Sequence, residues 1–346
     1  MTQYLSDKIK ILSFAAIILV LYIHSGFHDY PHEILGMEFN HYLQTVISDK
    51  LGRCAVPLFY MISGYLFFQH TSSLDDVWRK IKRRVKSLLI PYIIAALFFP
   101  LFLLLIEQIP YAVKMSNNGV ILSELSKPIK DVLIDLFVVK DGGTSPLAFH
   151  LWYLRDLIII VICSPILFLL KKCLKNEVIC FVFLVLSYCY SNGLISSFFW
   201  FLAGDAFLVK INKTHSLIWP IAYIILSIIE IVLDFNYFIY MKIPFTFVGV
   251  VAIWTMYNLL VDKSFCLKNH HYLEIACSFT FFIYLYHEPT LNIVRKLLIV
   301  LLGRTSFGFA VNYMVSPWIF AIMFIIIGYV FKKYTPHLYS ICVGGR

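Results

Sequence analysis

The sequence predicts an all-α, polytopic membrane protein with about ten transmembrane helices. Of the 346 residues, 60% are hydrophobic and only 14% are charged, and the mean hydropathy is +0.80. Apolar runs recur along the chain at about the 20 residues that a helix needs to cross a bilayer. A barrel strand would alternate in and out, whereas residues 87–106 are apolar on every side. Because backbone groups in lipid must be satisfied within the element itself, helices are predicted.

Hydropathy places the predicted spans in order along the chain. They cover residues 9–27, 54–69, 87–106, 150–170, 178–195, 197–209, 217–234, 244–261, 275–300 and 314–331. The segment 197–209 is short and carries Asp205 in its middle, so it is interpreted as a half-helix or a tilted helix. In the ninth span Pro289 removes a backbone donor, so a kink is expected there.

The basic residues predict the topology. They concentrate in the segments that are cytoplasmic if the N-terminus is cytoplasmic, above all in the loop 70–86. The longer loops 28–50 and 107–149 are poorer in Lys and Arg and are therefore predicted to be extracytoplasmic. Both termini are expected in the cytoplasm, and residues 1–346 are interpreted as a single membrane domain.

The overall charge and the cysteines exclude several classes. The formal net charge is +9, but the bases lie where topology requires them, so the lipid bilayer is the expected partner and nucleic acid is not. The eight cysteines form no CxxC pair. Neither a disulfide framework nor a metal site is predicted.

Two polar residues near the outer face form the first candidate site. His24 lies near the end of the first span, and imidazole is the side chain that exchanges protons near neutral pH. Arg53 opens the second span at the same predicted depth and keeps its charge, so it needs a partner, a wet cavity or an anionic substrate. The structural alternatives are a hydrogen-bonded interfacial histidine and an arginine that snorkels to the interface.

The fourth span begins HLWYLRDLIII and supplies a second cation. Arg155 and Asp156 are adjacent, so they point about 100° apart on a helix and each is expected to need its own partner. Arg155 is predicted to face the pocket of His24.

The ninth span contains His287 and Glu288 immediately before Pro289. Ionisable groups inside a bilayer often mark proton paths, so the pair is interpreted either as a proton relay or as a hydrogen-bonded structural kink.

The basic residues before the third span are denser than topology alone requires. They are Arg79, Lys80, Lys82, Arg83, Arg84 and Lys86. Anionic lipid headgroups would bind them, and so would a phosphate-rich cofactor such as coenzyme A arriving from the cytosol. Charge alone does not separate these two ligands.

These segments together resemble the acyltransferase family 3 integral membrane proteins over nearly the whole chain. The resemblance rests on His24, on Arg53 with VPLFYMISGYLFF, on RRVKSLLIPY, on HLWYLRDLIII and on FFIYLYHEP. It implies a ten-helix, multi-pass protein of the bacterial inner (plasma) membrane that moves an acyl group, most often acetyl, from cytoplasmic acetyl-CoA to a sugar hydroxyl on the far side.

By position, His24 would be the family's catalytic histidine, Arg53 the arginine that starts the second span, and Arg83 with Lys86 the basic pair near the acyl donor. We therefore predict His24, Arg53 and Arg155 as catalytic residues and Arg83, Arg84 and Lys86 as donor-binding residues. One departure concerns the donor, because the family often has an Arg separated from the His by ten residues and this chain has Ser13 at that position, with Lys10 as the nearest base.

The predicted function is membrane O-acetylation of a cell-envelope or exported glycan, with His24 as the base or a transient acyl carrier. Arg53 and Arg155 would stabilise the developing oxyanion. The alternative is a non-enzymatic transporter or small-molecule-binding membrane domain, since buried His, Glu and Arg also mark substrate pathways. The sequence carries no readable code for the acceptor or the oligomeric state.

Overall fold

The computed structural model describes residues 1–27, 37–109, 127–137, 148–190, 192–212, 214–232 and 241–345. Every regular element within these residues is helical, which confirms the predicted all-α membrane class. The α-helices are α1 Gln3–Ser25, α2 Met37–Gln44, α3 Ala55–Phe68, α4 Leu74–Arg84, α5 Ile90–Glu107, α6 Ile129–Phe137, α7 Trp152–Cys173, α8 Asn176–Tyr190, α9 Gly193–Asn212, α10 Ile218–Val232, α11 Lys242–Leu260, α12 His271–Ser278, α13 Thr280–Tyr286, α14 Thr290–Leu302, α15 Ser306–Tyr334 and α16 Pro336–Val343.

Seven helices of the described residues are long and apolar enough to cross a membrane. They are Gln3–Ser25, Met37–Phe68, Leu74–Glu107, Phe149–Cys173, Gly193–Asn212, Lys242–Leu260 and Ser306–Tyr334. The shorter apolar helices α8 and α10 coincide with two further predicted spans. The protein is therefore a multi-pass membrane protein, and the count of about ten stays a prediction.

Two helices extend well beyond the predicted spans. The second span continues backwards through π-helical Thr45–Leu51 and the short 3-10 turn Gly52–Cys54 into α2, so residues 37–50 are helical rather than a loop. The third continues backwards through π-helical Val85–Leu89 into α4, so most of the basic loop 70–86 is helix as well. Hydropathy did not detect these turns because they are amphipathic rather than apolar.

The ninth predicted span, 275–300, is wrong as one continuous helix. The chain forms α12, α13 and α14 in succession, and His287, Glu288 and Pro289 lie between the last two. The kink expected at Pro289 is thus a complete break. Proline at this position can neither donate to the preceding turn nor avoid its carbonyl, so the helix ends at Tyr286 and restarts at Thr290.

The short segment 197–209 belongs to a full helix, α9, of 20 residues. It is not a half-helix. Asp205 is tolerated there because Lys171 Nζ lies 2.5 Å from its Oδ2 and the Asn176 amide donates to the same oxygen at 2.9 Å. A charge within an apolar segment thus has two polar partners.

The described chain divides into two compact units, and the single-domain interpretation stays a prediction. The first unit draws its described residues from Met1–His32, Gly36–Lys80 and Ile162–Thr280. Its tightest contact is the crossing of α3 and α9, where a Cβ on Gly64 would lie 1.8 Å from the Phe201 oxygen and one on Gly204 would lie 1.9 Å from the Met61 oxygen. Only glycine permits two helix backbones to approach so closely.

The second unit takes its described residues from Ile81–Val161 and Phe281–Arg346. In it α14 and α15 form a helical pair and α16 returns against α5. Aromatic rings fill the space between helices, with Phe282 of α13 lying 5.7 Å from Phe324 and 5.8 Å from Tyr339 between ring centroids. Rings in contact at such distances bury large apolar areas.

Candidate functional site

The C-terminal end of α1 carries His24 and is fixed to the helix that leads into α3. The Ser48 hydroxyl donates to the Tyr22 oxygen at 3.0 Å, and the Phe27 N–H donates to Gln44 Oε1 at 2.9 Å. The first of these bonds satisfies a carbonyl that a helix end leaves unpaired. The half-buried His24 lies in the last turn of α1, where the helix dipole favours a positive charge.

The segment carrying Arg53 packs directly on this helix end. A Cβ on Gly52 would lie only 2.8 Å from Cγ1 of Ile23, so the residue before Arg53 contacts the residue before His24. Sequence analysis expected His24 and Arg53 at the same depth. In the first unit the Gly52 backbone lies against the Ile23 side chain.

Arg53 is held by a carboxylate that sequence analysis did not select. Glu230 of α10 places Oε1 2.9 Å from Arg53 Nη1 and also 2.9 Å from Lys50 Nζ. The side chains are 29%, 14% and 9% exposed for Arg53, Glu230 and Lys50. Two cations thus share one carboxylate, which leaves the ionised cluster with one net positive charge.

The backbone beneath the cluster is also fixed. The Tyr223 hydroxyl of α10 donates to the Lys50 oxygen at 2.8 Å and lies 3.3 Å from Cys54 Sγ. Gly249 of α11 leaves room for both side chains, since a Cβ there would lie 2.5 Å from Cys54 Sγ. A cation whose counter-ion and backbone are both anchored keeps its position, as electrostatic catalysis requires.

The basic run predicted to bind the donor divides into two groups. Arg79 forms an ion pair with Asp76, and Lys80 Nζ donates to the Phe67 oxygen at 2.6 Å and the Gln69 oxygen at 2.5 Å, capping the end of α3. Arg83 and Lys86 are exposed, whereas Arg84 is half-buried. Sequence analysis did not select Lys82, which is exposed one turn before Lys86.

At the start of α1 the buried base is Lys8 rather than Lys10. Lys8 Nζ donates to Asn258 Oδ1 at 2.6 Å and lies 4.1 Å from the Trp254 ring centroid. Lys10 is exposed and lies 4.0 Å from Asp7. The polar contacts of this end of α1 therefore join it to α11.

In the second unit, Arg155 and Asp156 correct an expectation. Each was predicted to need its own partner, but Arg155 Nε and Nη2 both donate to Asp156 Oδ1, at 2.9 and 2.6 Å. The long arginine side chain folds back over its own helix to reach the buried neighbouring carboxylate. Burial favours this geometry because two unpaired charges would cost far more free energy than the side-chain entropy lost.

His287 and Glu288 are both buried at the break between α13 and α14, with 0% and 6% exposure. His287 Nδ1 lies 2.7 Å from the Tyr284 oxygen, and the carboxyl of Glu288 interacts electrostatically with Arg295 and Lys296. The ring of His150, the first residue of the fourth predicted span, lies edge to face with the ring of His287. The predicted relay of His287 with Glu288 stays a prediction.

The predicted catalytic residues therefore fall into both units. His24 and Arg53 lie in the first unit, on segments that contact each other, and Arg155 lies in the second. That Arg155 faces the pocket of His24 stays a prediction.

The local sequence carried only a weak signal for Glu230, Lys50 and His150, which sequence analysis did not select as site residues. Glu230 is an acidic residue inside an apolar span, which by itself suggests a buried partner. Lys50 gave no such signal because it was placed in the predicted extracytoplasmic loop 28–50, and His150 gave none because it opens the fourth predicted span.

Comparisons with known proteins find similarity along nearly the whole length of the chain. A family model described as an acyltransferase domain matches residues 8–333. The succinoglycan biosynthesis protein ExoH of Rhizobium meliloti (strain 1021) is 23% identical over 366 aligned positions, which span 100% of this chain and 94% of that protein. No solved structure matches the chain significantly.

Proposed function

The chain belongs to the acyltransferase-3 family and is an O-acyltransferase, and on this premise we propose that it transfers an acetyl group from cytoplasmic acetyl-CoA to a hydroxyl of a cell-envelope or exported glycan. The similarity to a succinoglycan biosynthesis protein supports a polysaccharide acceptor. The bacterial inner membrane with both termini cytoplasmic is the proposed setting, supported by the distribution of basic residues.

The observation that carries the proposal is the contact between the end of α1 and the segment of Arg53. Acyl transfer needs a group that either deprotonates the acceptor hydroxyl or carries the acyl group, and an imidazole can do both. We assign that role to His24, whose neighbour Ile23 packs on Gly52.

Arg53 is proposed to stabilise the developing oxyanion. The net positive charge of the Lys50, Arg53 and Glu230 cluster suits this role, because a fixed charge needs no reorganisation when the transition state forms. Arg155 is proposed as a further cation of the reaction, with its charge shared with Asp156.

The acyl donor is proposed to bind at the exposed bases before the third span. Phosphates of coenzyme A would contact Arg83 and Lys86, with Arg84 behind them and Lys82 on the same face. Exposed bases on successive turns of a helix supply the charge that a multiply charged nucleotide donor needs.

The test uses purified protein in lipid nanodiscs with acyl-CoA donors and glycan from cells that lack the protein. Wild-type protein should transfer label from acetyl-CoA to the glycan, while His24→Ala should lose at least about 100-fold in rate. The matched control is His41→Ala, because His41 is an exposed helical histidine of the same unit. Full turnover by His24→Ala would refute the assigned role.

The donor is identified in the same assay. Succinyl-CoA and longer acyl-CoA thioesters are compared with acetyl-CoA at equal concentration. A clear preference for another thioester would overturn the acetyl assignment and leave the O-acyltransferase activity in place. Mass spectrometry of glycan from cells with and without the protein then identifies the modified hydroxyl.

A further inference from the structure

An apolar groove opens between three helices of the first unit. Residues of α8, α9 and α11 line it, and its volume is about 410 Å³. This volume lies within the range of about 300 to 1,000 Å³ that is usual for small-molecule pockets. Four aromatic residues contribute much of the lining, and they are Phe181, Phe199, Phe207 and Phe247.

The shape of the groove fits a linear hydrocarbon chain. Phe199 and Phe207 are eight positions apart on α9, so the groove extends about 12 Å along this helix. The Phe247 ring of α11 lies 5.8 Å from the Phe207 ring and 6.3 Å from the Trp200 ring between centroids, which fixes one wall. The groove thus has packed aromatic walls and room for a chain along its length.

The surroundings of the groove are also apolar. Helices α9 and α11 are long and apolar enough to cross a membrane, and α8 coincides with a predicted span. Phe181, at the rim, is 63% exposed. Because lipid chains cover the apolar faces of spanning helices, a lipid chain can enter the groove from the side.

One end of the groove is charged. Among the lining residues Glu177 carries the charge, and Lys210 Nζ lies 2.6 Å from its Oε1. Lys175 interacts electrostatically with the same carboxylate. Both lysines are exposed. These three residues form the charged mouth of the groove, and two lysines with one carboxylate leave it a net charge of +1.

The neighbouring charged groups do not cancel this excess. Lys171 Nζ lies 2.5 Å from Asp205 Oδ2, so these two charges offset each other. Lys172, which is exposed at the end of α7, adds a further positive charge. An apolar groove with a positive mouth therefore matches a molecule with an apolar chain and an anionic head.

We propose that this groove binds one acyl chain of an anionic phospholipid, whose phosphate contacts Lys175 and Lys210. The site is separate from the acyl transfer proposed above. A zwitterionic phospholipid fits it less well, because its head also carries a cation that the positive mouth repels. A bound chain would contact α8, α9 and α11 together, so the lipid should stabilise the folded first unit.

The first test measures lipid binding to purified, delipidated protein by native mass spectrometry. The protein in detergent is titrated with dioleoyl phosphatidylglycerol or with dioleoyl phosphatidylcholine. Wild-type protein should retain one phosphatidylglycerol about fivefold more tightly than phosphatidylcholine, as one net charge near a membrane surface predicts. Phosphatidylglycerol should also raise the thermal midpoint more than phosphatidylcholine does. Equal binding of the two lipids would overturn the proposal.

Filling the groove tests where the lipid lies. Val248 of α11 lines the groove, so Val248→Trp should occupy the space of the chain and remove the retained lipid. The matched control is Val182→Trp, because Val182 is exposed on α8 and outside the lining. Retention of phosphatidylglycerol by Val248→Trp at the level of Val182→Trp would show that the lipid binds elsewhere and would refute the site.

The charged mouth is tested in both directions. Replacing Lys175 and Lys210 together by glutamine should abolish the preference for phosphatidylglycerol. Glu177→Gln should increase the preference, because the net charge of the mouth rises from +1 to +2. Lys333→Gln, in the last turn of α15, is the control for an exposed lysine and should leave the preference unchanged. A preference unaffected by all of these changes would contradict the assigned headgroup contacts.

A measurement on wild-type protein decides the case if Val248→Trp does not fold. Phosphatidylglycerol with a photoreactive diazirine in its acyl chain is bound at a ratio of one to one and activated by light. Label on the lining residues of α8, α9 or α11 supports the site, and label confined to other residues overturns it. Dimers that form without retained lipid would also overturn it. None of these assays measures acyl transfer, so failure of the proposed function leaves their outcome unchanged.

Discussion

The two units hold their buried polar groups in opposite ways. In the first unit, beside the end of α1, full charges meet, with Lys50 and Arg53 each 2.9 Å from one Glu230 oxygen. In the second unit, His150 and His287 are bound mainly through backbone carbonyls and ring packing. One region fixes charge, whereas the other is built around groups that can be neutral.

This difference bears on the role proposed for Arg53. An oxyanion is stabilised by a charge that is already present and does not move, and a permanently charged guanidinium supplies it. The two imidazoles of the second unit are held instead by carbonyls and by aromatic packing. The predictions below test whether each region depends on its own kind of interaction.

The largest effect on stability is expected from Glu230→Gln. The substitution keeps the shape of the side chain and removes its charge, so Lys50 and Arg53 repel each other without a carboxylate. Because Arg53 is 29% exposed, we expect a loss of about 2 to 3 kcal/mol, below the full cost of breaking a deeply buried pair. Thermal unfolding in detergent measures this loss of stability. The acyl transfer rate should also fall, because Arg53 loses the carboxylate that holds it.

A matched control and a compensating substitution test whether the loss of stability in Glu230→Gln comes from charge pairing. Glu177→Gln removes an ion pair with Lys210 whose side chains are 44% and 66% exposed, so it should leave the thermal midpoint close to that of wild type. Adding Lys50→Met to Glu230→Gln removes the surplus charge and should recover part of the loss. Equal effects of the two glutamine substitutions would show that charge pairing does not hold the first unit.

The features that depend on consecutive residues could be predicted from the sequence better than those that depend on contacts between distant residues. Hydropathy located the long spans because the preference for lipid is summed over about 20 consecutive residues. It missed the helical turns at 37–50 and 74–86, which have a polar and an apolar face. It also predicted a continuous ninth span, since a window average does not register one proline break.

Site partners could be predicted less well than spans. Arg53 was recognised as a cation needing a partner, but Glu230 is 177 positions away and no local pattern links them. His287 was recognised, while His150 was not selected as a site residue. In both cases the sequence indicated one polar residue that is energetically unfavourable inside a membrane. The residue that contacts it is determined by tertiary packing.

A substitution in the backbone crossing of the first unit should have the next largest effect. A Cβ at Gly204→Ala would lie 1.9 Å from the Met61 oxygen, so α3 and α9 would have to separate. We expect a loss of about 2 kcal/mol, as in overpacked cores, together with slower acyl transfer because α3 positions Arg53.

Gly193→Ala is the control for this effect. Gly193 begins α9, and a Cβ there would meet nothing within 4 Å, so its thermal midpoint should match that of wild type. If Gly204→Ala also leaves the thermal midpoint unchanged, the close approach of α3 and α9 is not needed for the stability of the first unit.

The smallest effect is expected from Tyr284→Phe in the second unit. The phenol accepts from the Leu154 N–H and donates to the His150 oxygen, so its loss leaves two backbone groups without that partner. A neutral hydrogen bond contributes about 1 kcal/mol, so the thermal midpoint should fall only slightly. His150 would also lose one of the hydrogen bonds that position its backbone. A thermal midpoint equal to that of wild type would mean that the contact between α7 and α13 does not depend on this hydroxyl.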